Sequence, residues 1–176
     1  LTVNILHMID NLRKFTQNAI WFSYLALIIV TPLIFTTANS ELFEVPKMHF
    51  VYILATIIFF ATILKLVADR EFKIPKSAAL AAFLIFLIVQ IASTFLSIDK
   101  FTSIFGYPTR LNGGLLSQLS YFVIFAGVII NFNLHQAKKL LLAMVLSATF
   151  VCLWGIPAHF GFDPSCYVLT GHLNAS

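Results

Sequence analysis

Five long apolar stretches, separated by short polar segments, dominate the hydropathy pattern of this chain. They cover residues 18–35, 48–67, 77–96, 115–130 and 140–160. A membrane-spanning helix needs about 20 mostly apolar residues, because only a helix satisfies its own backbone hydrogen bonds within lipid. The pattern therefore predicts an all-α, polytopic membrane protein with about five transmembrane helices.

The interior of these stretches offers little ionisable chemistry. None holds an Asp, Glu or Arg near its middle, and Lys65 lies close to an end. Ion-coupled transporters usually place such groups at mid-membrane, so the pattern argues against a pump in this part of the chain. Small residues form a stripe along the fourth stretch, at Gly113, Ser117, Ser120 and Gly127. Such a stripe favours close helix packing, and a polar lining beneath the preceding loop is the alternative.

Composition agrees with a membrane location. The chain is 60% hydrophobic and 10% charged over 176 residues, which is far less charge than a soluble domain carries. The formal net charge is +4. Because the basic residues are not clustered with aromatic residues on a polar surface, no nucleic-acid binding is predicted.

The distribution of the basic residues predicts the orientation. Most of them precede the first stretch or lie around the 68–76 and 131–139 segments. Positive residues favour the cytoplasm, so the N-terminus is predicted to be cytoplasmic and the loops at 36–47 and 97–114 to lie outside. Residues 1–160 then form one transmembrane bundle. Residues 161–176 are expected to begin an extracytoplasmic loop of a longer chain.

The 97–114 loop contains the candidate binding residues. Arg110 opposes the positive-inside bias, and a guanidinium at the membrane surface can bind phosphate with two parallel hydrogen bonds. Anchoring to lipid headgroups is the alternative for this residue. The following Gly113-Gly114 pair would let a ligand approach the backbone. Lys100 is the second candidate cation, and Asp99 is a weaker candidate for orienting one of the two.

Neither a metal site nor a catalytic residue is predicted. The His and Cys residues near the end of the chain lack the regular spacing of a metal site. Cys166 lies in the predicted outer segment at 161–176, where an oxidising compartment would favour its oxidation, and its partner cannot be assigned from this sequence.

Several segments resemble the early part of the bacterial O-antigen ligase and O-antigen polymerase family. The first is Pro-Leu-Ile-Phe at 32–35, followed by Glu-Leu-Phe-Glu-Val-Pro-Lys at 41–47. The second is the pair of segments at 93–99 and 105–116, the latter reading Phe-Gly-Tyr-Pro-Thr-Arg-Leu-Asn-Gly-Gly-Leu-Leu. The third is Phe-Gly-Phe-Asp-Pro-Ser-Cys at 160–166. The resemblance runs along nearly the whole chain.

The resemblance implies a membrane glycosyltransferase of lipopolysaccharide biosynthesis in the bacterial cytoplasmic (inner) membrane. Such an enzyme transfers a glycan from an undecaprenyl-diphosphate carrier at the outer face, without a metal, a nucleotide sugar or another cofactor. Its expected partners are the polyprenyl-diphosphate-linked donor, membrane lipids and a glycan or protein acceptor that the sequence does not identify. The family's catalytic outer loop would lie beyond residue 176. A non-enzymatic multi-span transporter or membrane scaffold is the alternative.

Overall fold

A computed structural model describes residues 2–34, 44–68 and 76–160. The predicted outer loop at 161–176 and the residues at 35–43 and 69–75 lie outside this description. Every regular element in the described part is helical. In chain order the helices are α1 (Thr2–Ile29), α2 (Glu44–Ala68), α3 (Ala78–Leu96), α4 (Lys100–Phe105), α5 (Leu115–Asn131) and α6 (Leu134–His159), with a short 3-10 turn at Thr31–Leu33.

The prediction of an all-α chain with about five apolar helices is confirmed. Within the described residues, four stretches are long and apolar enough to cross a membrane: His7–Leu33, Glu44–Ala68, Ala78–Leu96 and Leu134–Pro157. The fifth apolar helix, α5, has only 17 residues, which corresponds to about 25 Å of helix. By helix length and composition the chain is a multi-pass membrane protein. Which end faces the cytoplasm stays a prediction.

Local side-chain chemistry sets several helix boundaries. Ser77 precedes α3, and its hydroxyl accepts a hydrogen bond from the Leu80 amide. Asn133 and Gln136 form a reciprocal pair at the start of α6, in which each side-chain oxygen accepts the other residue's backbone N–H. This capping box satisfies two amides that a helix start leaves without partners. α1 begins well before the predicted stretch at 18–35, and α6 begins before 140.

The bundle is built around α2. It packs against α1 and α5, while α3 packs on α5 and α6 packs on α1. A cluster of buried side chains joins α1, α2 and α6: Ile20, Tyr24, Ile58, Ala61 and Leu140. Helices α1, α3 and α6 run in one direction, and α2 and α5 run in the other. We call the end where α2 and α5 begin the loop end, and the opposite end the Lys65 end.

The small-residue face of α5 makes the close packing at this centre possible. Ser117, Ser120 and Gly127 are all buried on it. A Cβ atom added at Gly127 would collide with the Tyr24 hydroxyl oxygen and approach Ile58 Cγ2 at 2.9 Å. Close helix packing therefore describes Ser117, Ser120 and Gly127. Gly113 lies in the loop before α5 and is exposed.

Candidate functional site

The segment between α4 and α5 folds into a compact loop at the loop end. The Tyr107 carbonyl oxygen accepts hydrogen bonds from the amides of Arg110 at 3.0 Å and Leu111 at 2.7 Å. The Tyr107 amide donates to the Asn112 carbonyl oxygen at 3.3 Å, which closes the loop. Leu111 has a φ of 51°, so a non-glycine residue occupies the left-handed region here.

Two glycines bring the ends of this loop together. Gly106 has a φ of 82°, and a Cβ atom there would collide with the Asn112 backbone. A Cβ atom at Gly114 would collide with the Gly106 nitrogen and meet the Ile104 carbonyl oxygen at 2.6 Å. The backbone therefore approaches itself where only glycine fits. Gly113 differs from these two glycines, because no atom would lie within 4 Å of a Cβ added there. Glycine is favoured at this position by its positive φ of 86°.

Two tyrosines from the neighbouring helices hold the loop in place. The hydroxyl of Tyr52 on α2 donates to the Leu111 carbonyl oxygen. The hydroxyl of Tyr121 on α5 donates to Asn112 Oδ1 at 3.0 Å. A tyrosine at the end of an apolar helix usually needs such a partner for its polar tip. Together these contacts fix the loop relative to both α2 and α5.

A cavity of about 480 Å³ lies between the loop and the first turns of α2. Its lining residues are Glu44, Lys47, Met48, Tyr107, Arg110, Asn112 and Gly113. The Nε atom of Arg110 lies 3.3 Å from Glu44 Oε2 in an ion pair whose side chains are 62% and 48% exposed. The cavity thus combines two cationic side chains with one carboxylate.

The three residues predicted from sequence are not brought together. Arg110 lines the cavity, whereas Lys100 and Asp99 are absent from its lining and lie at the start of α4. Both carboxylate oxygens of Asp99 accept hydrogen bonds from Thr102, through its hydroxyl and its amide. These bonds lower the pKa of the Asp99 carboxyl below its usual value, and the bond from the Thr102 hydroxyl has the largest effect. Asp99 therefore acts as the N-cap of α4, and the carboxylate that orients Arg110 is Glu44.

Sequence reasoning missed several residues that build the cavity. Glu44 and Lys47 fall in the predicted outer loop at 36–47, to which no site is assigned from sequence, and Tyr52 gave no signal beyond being a polar-tipped residue in an apolar helix. The spacing of Glu44 and Lys47 by three positions is consistent with one helix face and could have linked them to each other. Neither local pattern nor composition indicates that they lie beside Arg110, because this contact joins segments far apart in the chain.

The arrangement is suited to binding an anion. Within the described residues, no group of three or more His, Cys, Asp and Glu side chains is placed to hold a metal ion. Arg110 offers a planar set of donors at the mouth of the cavity, and Lys47 offers a second positive charge. Comparisons with known protein families, curated proteins and solved structures found no match for this chain.

Proposed function

We propose that the cavity at the loop end binds the diphosphate of a polyprenyl-diphosphate-linked glycan, as part of a bacterial envelope glycan ligase or polymerase. The observation that carries the proposal is the convergence of Arg110 and Lys47 on one cavity at the end of an apolar helical bundle. A membrane-embedded glycan carrier presents its diphosphate at the edge of the hydrocarbon layer. The two cationic side chains at the end of the bundle would lie at this same level. The resemblance of the 93–99 and 105–116 segments to this family supports the same assignment.

Charge and hydrogen-bond geometry support diphosphate as the ligand. The observed ion pair with Glu44 uses the Nε atom of Arg110, and the terminal nitrogens of the guanidinium can donate in parallel to two phosphate oxygens. An exposed ion pair contributes only about 0–1 kcal/mol, so a diphosphate can compete with Glu44 for the guanidinium. A hydrogen bond to a charged group contributes about 1.5–3 kcal/mol, which is more than the exposed ion pair with Glu44 contributes.

The surroundings of the cavity suit the apolar part of such a donor. Phe101, Phe105 and Tyr107 are exposed aromatic side chains on α4 and the loop that follows it, and aromatic residues favour the headgroup level of a bilayer. A second cavity of about 700 Å³ borders the same Gly113 and follows the C-terminal half of α3, where its lining mixes apolar side chains such as Val89 and Leu96 with polar ones such as Gln90. The apolar members of this lining offer contacts for a prenyl chain.

We assign donor binding to this cavity and assign bond cleavage to none of the described residues. The site would face the outside of the bacterial cytoplasmic membrane, and no cofactor takes part. Charged groups that hold the diphosphate would also stabilise it as it departs from the sugar. The acceptor, whether a glycan or a protein, would approach from the same side.

Binding of undecaprenyl diphosphate to the purified chain in detergent tests the proposal. We expect the ligand to raise the thermal unfolding midpoint, from which an apparent dissociation constant follows. Arg110→Ala should weaken binding by about 10- to 100-fold, the loss expected for a hydrogen bond to a charged group. Arg110→Lys keeps the charge but not the planar fork and should restore binding only in part.

Two controls separate a specific site from general charge effects. Glu44→Gln removes the competing carboxylate and should tighten binding, a gain that misfolding cannot produce. Lys139→Ala removes an exposed cation at the Lys65 end and should leave binding unchanged. Undecaprenol, which lacks the diphosphate, should not distinguish wild type from Arg110→Ala. Wild-type affinity in Arg110→Ala would contradict the proposal, leave Arg110 as a headgroup anchor and favour a transporter or scaffold.

A further inference from the structure

A second charged cavity lies at the Lys65 end of the bundle, remote from the Arg110 loop. Its volume is about 630 Å³, and it is lined by Asp10, Arg13, Lys14, Gln17, Asn18 and Lys65. Three cations and one carboxylate therefore surround one space. Glu44 and Lys65 are separated by nearly the whole of α2, about 30 Å at the rise of an α-helix, so the two cavities are distinct sites.

Lys65 is held in this cavity by side chains from two other helices. Its Nζ atom donates to Gln17 Oε1 on α1 at 2.6 Å and to Asn131 Oδ1 on α5 at 3.2 Å. The Asn131 amide in turn donates to Thr62 Oγ1 at 2.9 Å and to the Gly127 carbonyl oxygen at 3.0 Å. Asn131 is buried, so this network fixes one wall of the cavity and keeps a positive charge at a defined position.

The segment of α1 around residues 10–18 supplies the other wall, and this part of the helix is amphipathic. Arg13, Lys14 and Gln17 lie on the face that lines the cavity. Met8 and Phe15 are 65% and 70% exposed, and together with the exposed Leu12 they form an apolar stripe on the opposite face at helical spacing. This part of α1 continues without a break into the rest of the candidate span His7–Leu33, so its apolar stripe is suited to face the acyl chains while the charged face lies near the membrane surface. The cavity is then at the level of the lipid headgroups.

We propose that this cavity binds a phosphate group, and that its source is the headgroup of an anionic phospholipid. Basic pockets between transmembrane helices bind such headgroups, because each Lys or Arg near the surface attracts the phosphate while the acyl chains stay in the bilayer. Arg13 and Lys14 provide donors from α1, and the anchored Lys65 provides a third charge from α2. The site is independent of the donor site proposed at the loop end.

Titration of the detergent-solubilised chain with phosphatidylglycerol tests the site, with phosphatidylcholine as the zwitterionic control. The readout is the apparent dissociation constant from the rise in unfolding midpoint. The double variant Arg13→Gln/Lys14→Gln should bind phosphatidylglycerol about 25-fold more weakly, since each basic residue near the surface contributes about fivefold. The matched double variant Lys138→Gln/Lys139→Gln loses the same charge from the start of α6, at the same end of the bundle, and should bind as wild type does.

A third variant separates loss of the site from loss of folding, because it should bind more tightly than wild type. Asp10→Asn removes the carboxylate that lines the cavity and should tighten binding by about fivefold. A parallel titration with inorganic phosphate identifies the source of the phosphate. Stabilisation by phosphatidylglycerol alone identifies a lipid headgroup, and stabilisation by inorganic phosphate alone overturns that part of the proposal. Equal losses in the two double variants, or no loss in either, would show a nonspecific surface charge and overturn the site.

Discussion

Gly127 is the position where a single methyl group should most disturb the bundle. A Cβ atom there would collide with the Tyr24 hydroxyl oxygen and approach Ile58 Cγ2 at 2.9 Å, so α5 meets α1 and α2 at one point. Tyr24 cannot turn away freely, because it is buried and its hydroxyl donates to the Ile124 carbonyl oxygen at 2.6 Å. Overpacking a close-packed interior typically costs about 1–3 kcal/mol, and we expect the collision in Gly127→Ala to cost this much relative to a glycine-to-alanine change that meets no neighbour.

The matched control is Gly155→Ala. Gly155 lies inside α6, and no atom would lie within 4 Å of its added Cβ. Alanine gains about 0.8–1 kcal/mol over glycine in a helix interior, and both substitutions share this gain. Their difference in the free energy of unfolding therefore isolates the collision. The measurement is reversible unfolding in mixed micelles, followed by tryptophan fluorescence.

A double-mutant cycle identifies the atom responsible. Tyr24→Phe removes the hydroxyl that would collide, at the cost of one hydrogen bond of about 0.5–1.5 kcal/mol. After that change the nearest tyrosine-ring atom to the new Cβ is Cζ, at 3.5 Å, which is an ordinary contact. Gly127→Ala should then cost less in the Tyr24→Phe background, with a coupling energy of about 1 kcal/mol. Equal stability of Gly127→Ala and Gly155→Ala, or strict additivity in the cycle, would refute this account of the packing.

Two further predictions concern the loop and the orientation. Hydrogen bonds from Thr102 lower the folded-state pKa of the Asp99 carboxyl. The ionised Asp99 therefore stabilises α4 above the unfolded pKa of about 3.9, and this stabilisation is lost as the pH falls through the lower folded-state pKa. The amide protection factors in α4, taken relative to the intrinsic exchange rate at each pH, should fall in that acidic range in wild type but not in Asp99→Asn, which keeps an N-cap without titrating. The same acid response in both proteins would contradict the assignment. In a cysteine-free background, Thr109→Cys should react with an impermeant thiol reagent from outside the cell and Lys139→Cys should not. The reverse pattern would exclude the predicted cytoplasmic N-terminus.

The helical architecture was predictable because apolar length is a direct requirement of the bilayer. Two features escaped that reasoning. The N-terminal half of α1 carries Asp10, Arg13 and Lys14, which lower the hydropathy although Met8 and Phe15 keep a helical period. Helix α4 is only six residues long, and its signal is the capping sequence of Asp99 and Thr102 rather than hydrophobicity. Hydropathy measures the fit of a segment to lipid, whereas these two elements depend on amphipathicity and local hydrogen bonds.

The candidate site was predictable only in part. Arg110 stood out because a positive residue opposed the expected charge distribution. Its partner Glu44 and the supporting Tyr52 lie on α2, and their proximity follows from the packing of α2 against α5. Asp99, which is closer in sequence, satisfies its carboxylate within α4 instead. Sequence proximity does not identify Glu44 as the partner of Arg110, because tertiary packing decides which charges meet across a bundle.

The packing at Gly127 and the geometry of the Arg110 cavity are physically connected. Helices α2 and α5 run side by side in the same direction, and the buried small side chains of α5 set how closely they approach. The cavity lies at the loop end of this same pair, with Glu44 on α2 and the Arg110 loop leading into α5. A shift of α5 away from α2 would therefore lengthen the hydrogen bond between Tyr52 and Leu111 and separate Glu44 from Arg110. For this reason Gly127→Ala should also weaken anion binding at the loop end, although Gly127 does not line that cavity.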